Sequence, residues 1–221
     1  MEERIMMIVL SGMIGAGKSS MTKVLATHLH TQAFYEPVDN NPVLPLFYKN
    51  PKKYAFLLQV YFLNMRFALI KQALSDDNNV LDRSIYEDNL FFHINAEMGR
   101  ATSIEVEVYE KLLANMMEEL PYAAHKKAPD LLVYLKISYD KVLKHIKKRG
   151  RSYEQPENDP TLIPYYQNLI KRYQQWYENY HHSPKIEIDC DQYDFVGNRN
   201  DRQIVLEIID QKLAQRSKNN F

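Results

Sequence analysis

Two periodicities divide the chain. Ile5-Met6-Met7-Ile8-Val9-Leu10 and Leu131-Leu132-Val133-Tyr134-Leu135 are unbroken apolar runs, the pattern of strands buried on both faces of a parallel sheet. Shorter strand-like stretches are Gln32–Tyr35, Val80-Leu81 and Lys185–Asp189. Elsewhere apolar residues recur every three or four positions, which predicts helices. The first runs from Ser20 to His30. The longest runs from Lys52 to about Leu74, with Phe56, Leu57, Val60, Leu63, Phe67 and Ile70 on one broad face. Ser84 caps a helix to about Met98 that Gly99 ends, and Thr102 with Glu105 forms a capping box for another to about Leu120. Further helices are expected over Ser138–Lys148, after the polar loop 152–161 to about Tyr180, and over Asp201–Leu213. Pro37 and Pro42 bracket a loop, Val38-Asp39-Asn40-Asn41. Pro45 and Pro51 predict a short, broken segment, and Asp76-Asp77-Asn78-Asn79 a turn. Strands alternating with helices, without repeat or linker, predict one α/β domain over 1–221, a doubly wound parallel five-stranded sheet flanked by helices.

The stretch after the first strand adds chemistry to this frame. Gly12-Met13-Ile14-Gly15-Ala16-Gly17-Lys18-Ser19 fits G-x-x-x-x-G-K-[ST] between a strand and a helix, which identifies a P-loop NTPase fold. The glycines let backbone N–H groups converge on phosphate, and the helix N-terminus adds its positive dipole end. The expected nucleotide contacts are Gly12 to Ser19 with Ser20. Lys18 is placed for the β- and γ-phosphates of ATP, and the Ser19 hydroxyl for Mg²⁺.

Composition narrows the partners. Lys and Arg number 28 and Asp and Glu 28, so formal net charge is zero, which argues against a broad footprint for nucleic acid or an anionic membrane. The one cysteine, Cys190, excludes a disulfide framework and a thiolate metal site. Met1-Glu2-Glu3-Arg4 runs straight into the first strand, which predicts no signal peptide. No apolar run approaches a membrane span, so a cytoplasmic location is expected.

Active residues in such a sheet sit at the carboxyl ends of strands. Those ends carry the P-loop, Glu36, Asp82-Arg83 and Asp189. A neutral hydroxyl acceptor benefits from a carboxylate base, whereas a nucleoside monophosphate needs a cationic clamp. Glu36 suits the first. Thymidylate kinases, which share the Glu-Pro pair, carry an arginine just before it, and this chain has Tyr35. Asp82 is expected beside the P-loop, acting near Mg²⁺ as a Walker-B-type acid. Arg83 is expected to hold Glu36 or stabilise transition-state charge. Arg149-Gly150-Arg151 suits a lid, at about 149–160, that closes on the transferring phosphoryl group. Lys147 and Lys148 read as a solvated helix end, His181-His182 as a solvated pair, and Phe91-Phe92 and Tyr165-Tyr166 as packing.

Taken together, GMIGAGKSS, YEPVDNNPVLPLFYKNPKKYAFLLQVYFLNMR, DRSIYEDNLFF and KKRGRSYEQ resemble the deoxynucleoside kinase family over essentially the whole chain, above all its bacterial deoxyadenosine and deoxyguanosine members. The resemblance implies ATP-dependent phosphorylation of a deoxynucleoside 5′-hydroxyl in salvage, with Glu36 as general base and Arg83 beside it. It implies that Tyr48 and Glu154 hold the 3′-hydroxyl, that Gln59 reads the base, and that Arg149 and Arg151 are lid arginines. It places Asp189, Cys190 and Asp191, in the segment to Asp194, against the adenine of ATP, and implies a homodimer or a dimer with a related subunit.

Arg66 lies seven residues after Gln59 on the same helix face, and Asp88 matches a base-reading acid of the purine- and cytidine-accepting members. A carboxylate accepts from an exocyclic amine or ring N–H, and arginine donates to a ring nitrogen or carbonyl. Thymine leaves a polar group unmatched there, so thymidine is disfavoured, while adenine, guanine and cytosine all fit. Two alternatives stay open: a nucleoside monophosphate kinase, and a P-loop switch without a small acceptor.

Overall fold

The computed structural model describes residues 7–36, 38, 41–73, 79–123 and 129–218. The two apolar runs are its central strands. β1 (Met7–Gly12) is buried along its whole length and pairs in parallel with β4 (Leu131–Lys136). β3 (Asn79–Asp82) pairs with the other edge of β1, β2 (Gln32–Phe34) lies outside β3, and β5 (Lys185–Asp189) lies outside β4. The order β2-β3-β1-β4-β5 is parallel throughout, the five-stranded sheet expected.

Strand alternation splits the core into two layers. Ile8, Leu10, Leu131 and Val133 face one side, with α1 (Lys18–His28), α6 (Tyr139–Arg149), α7 (Leu162–Glu178) and α8 (Arg199–Lys218) contributing Leu25, Ile146, Leu169 and Ile209. Met7, Val9, Leu81 and Leu132 face the other, with α3 (Pro51–Ala73), α4 (Ile85–Glu97) and α5 (Ser103–Ala123) contributing Leu63, Phe92 and Tyr109. The caps read from the sequence are present. Ser84 Oγ accepts from the Tyr86 N–H, and Glu87 reaches back to the Ser84 N–H at 2.7 Å. Thr102 and Glu105 exchange the bonds of a capping box.

Some expectations need correction. The segment after Pro42 is short and is broken at Asn50 before Pro51, as expected, but it is helical: α2 (Leu44–Lys49) has proline in its first turn, where no intrahelical partner is lost, and the Asn41 side chain caps it. The buried side of α3 is not the face counted from apolar residues alone. Ala55, Leu58, Gln59, Leu63, Arg66 and Ile70 point inward, while Leu57 is 49% exposed. The helix buries two polar residues, so an apolar count misplaces its inner face. α5 runs on past Leu120 through Pro121, α8 is longer at both ends than Asp201–Leu213, and a 3₁₀ turn (Ser152–Glu154) interrupts the expected loop. Met1–Met6, Pro37, Asp39-Asn40 and Leu74–Asn78 lie outside the described residues. No described helix is long and apolar enough to cross a membrane.

Candidate active site

The strand ends converge on one cavity of about 760 Å³. β1 leaves the sheet at Gly12, whose φ of +145° and a virtual Cβ 2.8 Å from the Leu135 carbonyl oxygen admit no side chain. The loop then enters α1 at Gly17, in left-handed conformation. Lys18 is buried, and its Nζ donates to the carbonyls of Gly12 at 2.8 Å and Met13 at 2.9 Å. Burial and the nearby Arg83 charge lower its pKa to about 8. Parallel register sets Asp82 opposite Leu10, which brings it to the loop. Ser19 Oγ donates to Asp82 Oδ2 at 2.5 Å, and the buried Asp82 Oδ1 makes no hydrogen bond among the described residues.

Glu36, just beyond β2, has both oxygens held. Arg66 Nη2 donates to Oε1 at 2.9 Å and Arg83 Nε to Oε2 at 2.8 Å. Burial alone would raise this carboxyl, but Arg83, Arg66 and Lys18 outweigh it and hold the pKa down at about 2. Arg83 adopts φ +78°, a strained value for a residue with a side chain. Its guanidinium also donates to the Tyr173 hydroxyl at 2.6 Å and stacks 4.8 Å from the Phe91 ring centre. The Arg66–Asp88 pair of the sequence is formed at 2.6 Å, with burial pushing Asp88 up to about 6 against the pull of Arg66.

Gln59, Asp88, Tyr48 and Glu154 all line the cavity opposite the P-loop. Tyr48 packs on Tyr153 with ring centres 4.9 Å apart. The buried Glu154 carboxylate is bound by Arg149 and lies 3.6 Å from Arg151, so both arginines expected in a lid rest on one acid. Ile14 to Ser20 line the donor end, whereas Gly12 and Met13 stand behind the wall. Of the three residues expected against adenine, Cys190 is on the wall, with its thiol pushed up to about 12 by burial. Asp189 and Asp191 are not. Asp189 accepts from the N–H groups of Asp191 and Gln192, and Asp191 caps α6 through the Ser138 N–H and hydroxyl, both at 2.8 Å. Tyr193 to Gly197 form the wall instead.

Several site residues were missed. Phe91, Tyr165 and Lys148 line the cavity, although Tyr165 is also packed in the core and Lys148 is exposed, as read from the sequence. Lys147 is exposed as expected, 3.7 Å from Glu157. His181 and His182 are exposed, as expected of a solvated pair, and His182 also stacks on Tyr86 at 4.0 Å. Glu87 is fully buried, accepts from Ser84 N–H, Tyr173 hydroxyl and Gly12 N–H, and faces Arg83 at 3.3 Å. Its position three residues after Ser84 was the available signal. His145, on α6, bonds the Gly15 carbonyl through Nδ1 at 2.7 Å and lines the cavity. No motif marked it.

A P-loop sharing one cavity with a carboxylate held by two arginines defines a phosphotransferase with a small acceptor. The family model for deoxynucleoside kinases matches residues 8–214. The chain belongs to the deoxynucleoside kinase family. It is 62% identical over 211 residues to a deoxyguanosine kinase from Lactobacillus johnsonii, covering 96% of this chain and 94% of that one. It is 57% identical over 211 residues to a deoxyadenosine kinase from Lactobacillus acidophilus, covering 96% and 98%. The solved structure of a deoxyadenosine kinase from M. mycoides with bound dATP matches with a TM-score of 0.76 at 28% identity, covering 93% of this chain and 100% of that one.

Proposed function

We propose that this kinase transfers the γ-phosphoryl group of ATP to the 5′-hydroxyl of a purine deoxynucleoside, deoxyguanosine or deoxyadenosine, with deoxycytidine the next candidate. The observation that carries this reading is Glu36, with both oxygens pinned by arginines, facing the same cavity as the P-loop. The names of the two Lactobacillus relatives support purines.

In this mechanism the acceptor lies between Glu36 and the phosphate site, with its base toward Gln59, Arg66 and Asp88 and its 3′-hydroxyl toward Tyr48 and Glu154. The 5′-oxygen forms a bond to the γ-phosphorus, the bond to the bridging oxygen breaks, and ADP leaves. A carboxylate held near pKa 2 is too weak to strip an alcohol before attack. Glu36 therefore orients the hydroxyl and takes its proton as the new O–P bond makes it acidic, which suits a loose transition state where positioning dominates. Lys18, Arg83, Arg149 and Arg151 balance the charge of the transferring group. The unpartnered Asp82 Oδ1 beside the Ser19 hydroxyl fits Mg²⁺, which favours one or two protein oxygens with phosphates. These two residues would hold it, and it supplies charge neutralisation for the phosphates.

The test is phosphorylation from ATP of deoxyguanosine, deoxyadenosine, deoxycytidine and thymidine, beside dAMP and dTMP. The expected result is turnover of a purine deoxynucleoside, weak turnover of thymidine and none of the monophosphates. Turnover of monophosphates alone would strip Glu36 of its role as acceptor of the hydroxyl proton.

A further inference from the structure

One guanidinium lies between the proposed base-reading acid and the proposed catalytic carboxylate. Arg66 is 2% exposed and uses its nitrogens in three directions. Nε donates to Asp88 on α4 at 2.6 Å, Nη2 to Glu36 beyond β2 at 2.9 Å, and Nη1 to the Asp82 carbonyl at the end of β3 at 3.3 Å. Supporting Asp88 as a reader of the base needs only the first of these. The guanidinium is a rigid plane, so a shift at one edge moves the others. Arg83 holds the opposite oxygen of Glu36, so the two arginines together fix the plane of the carboxylate and the direction of its lone pairs.

We infer that Arg66 is a positioning residue for Glu36 as well as a base reader, so that occupation of the base subsite is felt at the acceptor hydroxyl. The inference rests on the function proposed above. It explains why a residue near the base subsite reaches past it to the catalytic carboxylate. A base that hydrogen-bonds Asp88 draws on the same carboxylate that holds Arg66, and Glu36 Oε1 follows the guanidinium. Specificity and turnover then share one side chain, and a mismatched base lowers kcat as well as raising KM.

The electrostatics around Glu36 make this measurable. The charged and titratable groups gathered there are Arg66 from α3, Arg83 from the β3–α4 turn, Lys18 from α1, Asp88 and Glu87 from α4, Asp82 from β3 and Tyr173 from α7. Removing Arg66 takes away one of the three cations that hold Glu36 ionised, and its carboxyl moves up. Removal of Arg66 alone would also strand the Asp88 charge, so the clean comparison is Asp88→Ala against Arg66→Met/Asp88→Ala.

The experiment measures kcat of both variants at saturating ATP and deoxynucleoside from pH 4.5 to 8. Asp88→Ala keeps Arg66 on Glu36 and is expected to show a flat acid side. The double variant is expected to lose about 10- to 100-fold in kcat at pH 7, the scale of a misplaced reacting group. It is also expected to gain an acid limb, because loss of a neighbouring opposite charge raises a carboxyl by about 1–3 pH units. Equal kcat and equal pH profiles, with only KM changed, would leave Arg66 a base reader alone and overturn the inference. Should the double variant not fold, Arg66→Lys in the Asp88→Ala background keeps a buried cation that lacks the three-way fork, and wild-type-like kcat there would overturn the positioning role. Glu36→Gln separates the two levels. Near-normal turnover in that variant overturns the proposed role of Glu36 as proton acceptor, on which the coupling rests, whereas collapse of its turnover beside unchanged Arg66 variants overturns only the coupling.

Discussion

Asp88 is held between burial, which pushes its carboxyl up to about 6, and Arg66, which draws it back. As an acid it is ionised above that pH, and it takes a proton as pH falls through about 6. Protonation removes its attraction to Arg66 and turns an acceptor for a base amine or ring N–H into a partial donor. KM for the deoxynucleoside should therefore rise below about pH 6 while KM for ATP stays level, and Asp88→Asn should flatten that rise. Initial rates at varied nucleoside from pH 5 to 8 check this, and a KM independent of pH in the native protein would remove Asp88 from base recognition. Glu87 makes a different prediction, because its carboxylate serves structure. Glu87→Ala leaves the Gly12 and Ser84 N–H groups, the Tyr173 hydroxyl and the Arg83 charge short of a partner at once. Breaking a buried pair in this way costs about 3–5 kcal/mol, and Glu87→Gln, which keeps the shape, should cost less. Urea unfolding of the two variants reads the difference, and equal midpoints would make the carboxylate dispensable.

At the scale of elements, α6 joins the P-loop to the segment proposed as a lid. Its N-terminus is capped by Ser138 and Asp191, its body lies against the P-loop at Gly15, and its C-terminus at Gly150 opens into the lid. His145 holds it to the loop by donating Nδ1–H to the Gly15 carbonyl. His145→Ala should raise KM for ATP about tenfold, the worth of one lost buried hydrogen bond, with KM for the nucleoside little changed. His145→Asn, whose amide nitrogen can stand where Nδ1 does, should recover most of it. Failure of Asn to rescue would mean that the ring, and not its hydrogen bond, matters. Elements of this kind divide by how local their signal is. The central strands, the P-loop and the Ser84 and Thr102 caps were legible because each rests on contiguous residues whose period or spacing is its own cause. The inner face of α3 was not, because Gln59 is buried against the cavity and Arg66 against Asp88, Glu36 and the Asp82 carbonyl, surroundings that only the folded chain brings together. Asp189 and Asp191 were misplaced for the same reason: their carboxylates satisfy backbone groups that tertiary contact brings near. The link from Arg66 to Glu36 spans thirty residues of sequence and has no local signature.

At the scale of the whole molecule, the cavity makes the two substrate sites parts of one network. The donor end is framed by the P-loop and α6, the acceptor end by α3 and α4, and two carboxylates lie across the join. Glu36 ties Arg66 to Arg83, and Glu154 ties Arg149 and Arg151 to the wall that carries Tyr48. In the proposed mechanism, a nucleoside whose 3′-hydroxyl engages Glu154 would compete with Arg149 and Arg151 for that acid and leave them more available to the transferring phosphate. ATP binding in turn draws the same arginines away and opens Glu154 to the sugar. Each ligand thus removes part of the cost that the other meets, which is positive coupling and reciprocal by linkage. A ligand at a hundredfold excess over its Kd adds about 2.7 kcal/mol to folding stability, worth about 5–10 °C in a domain of this size. Thermal melts with deoxyguanosine alone, a non-hydrolysable ATP analogue alone and both together should show a joint shift larger than the sum of the two. Glu154→Gln, which keeps the shape and weakens the hold on both arginines, should bring the joint shift back to the sum. Strict additivity in the native protein would mean that the lid arginines do not pass between Glu154 and the phosphate, and that the two ends of the cavity fill independently.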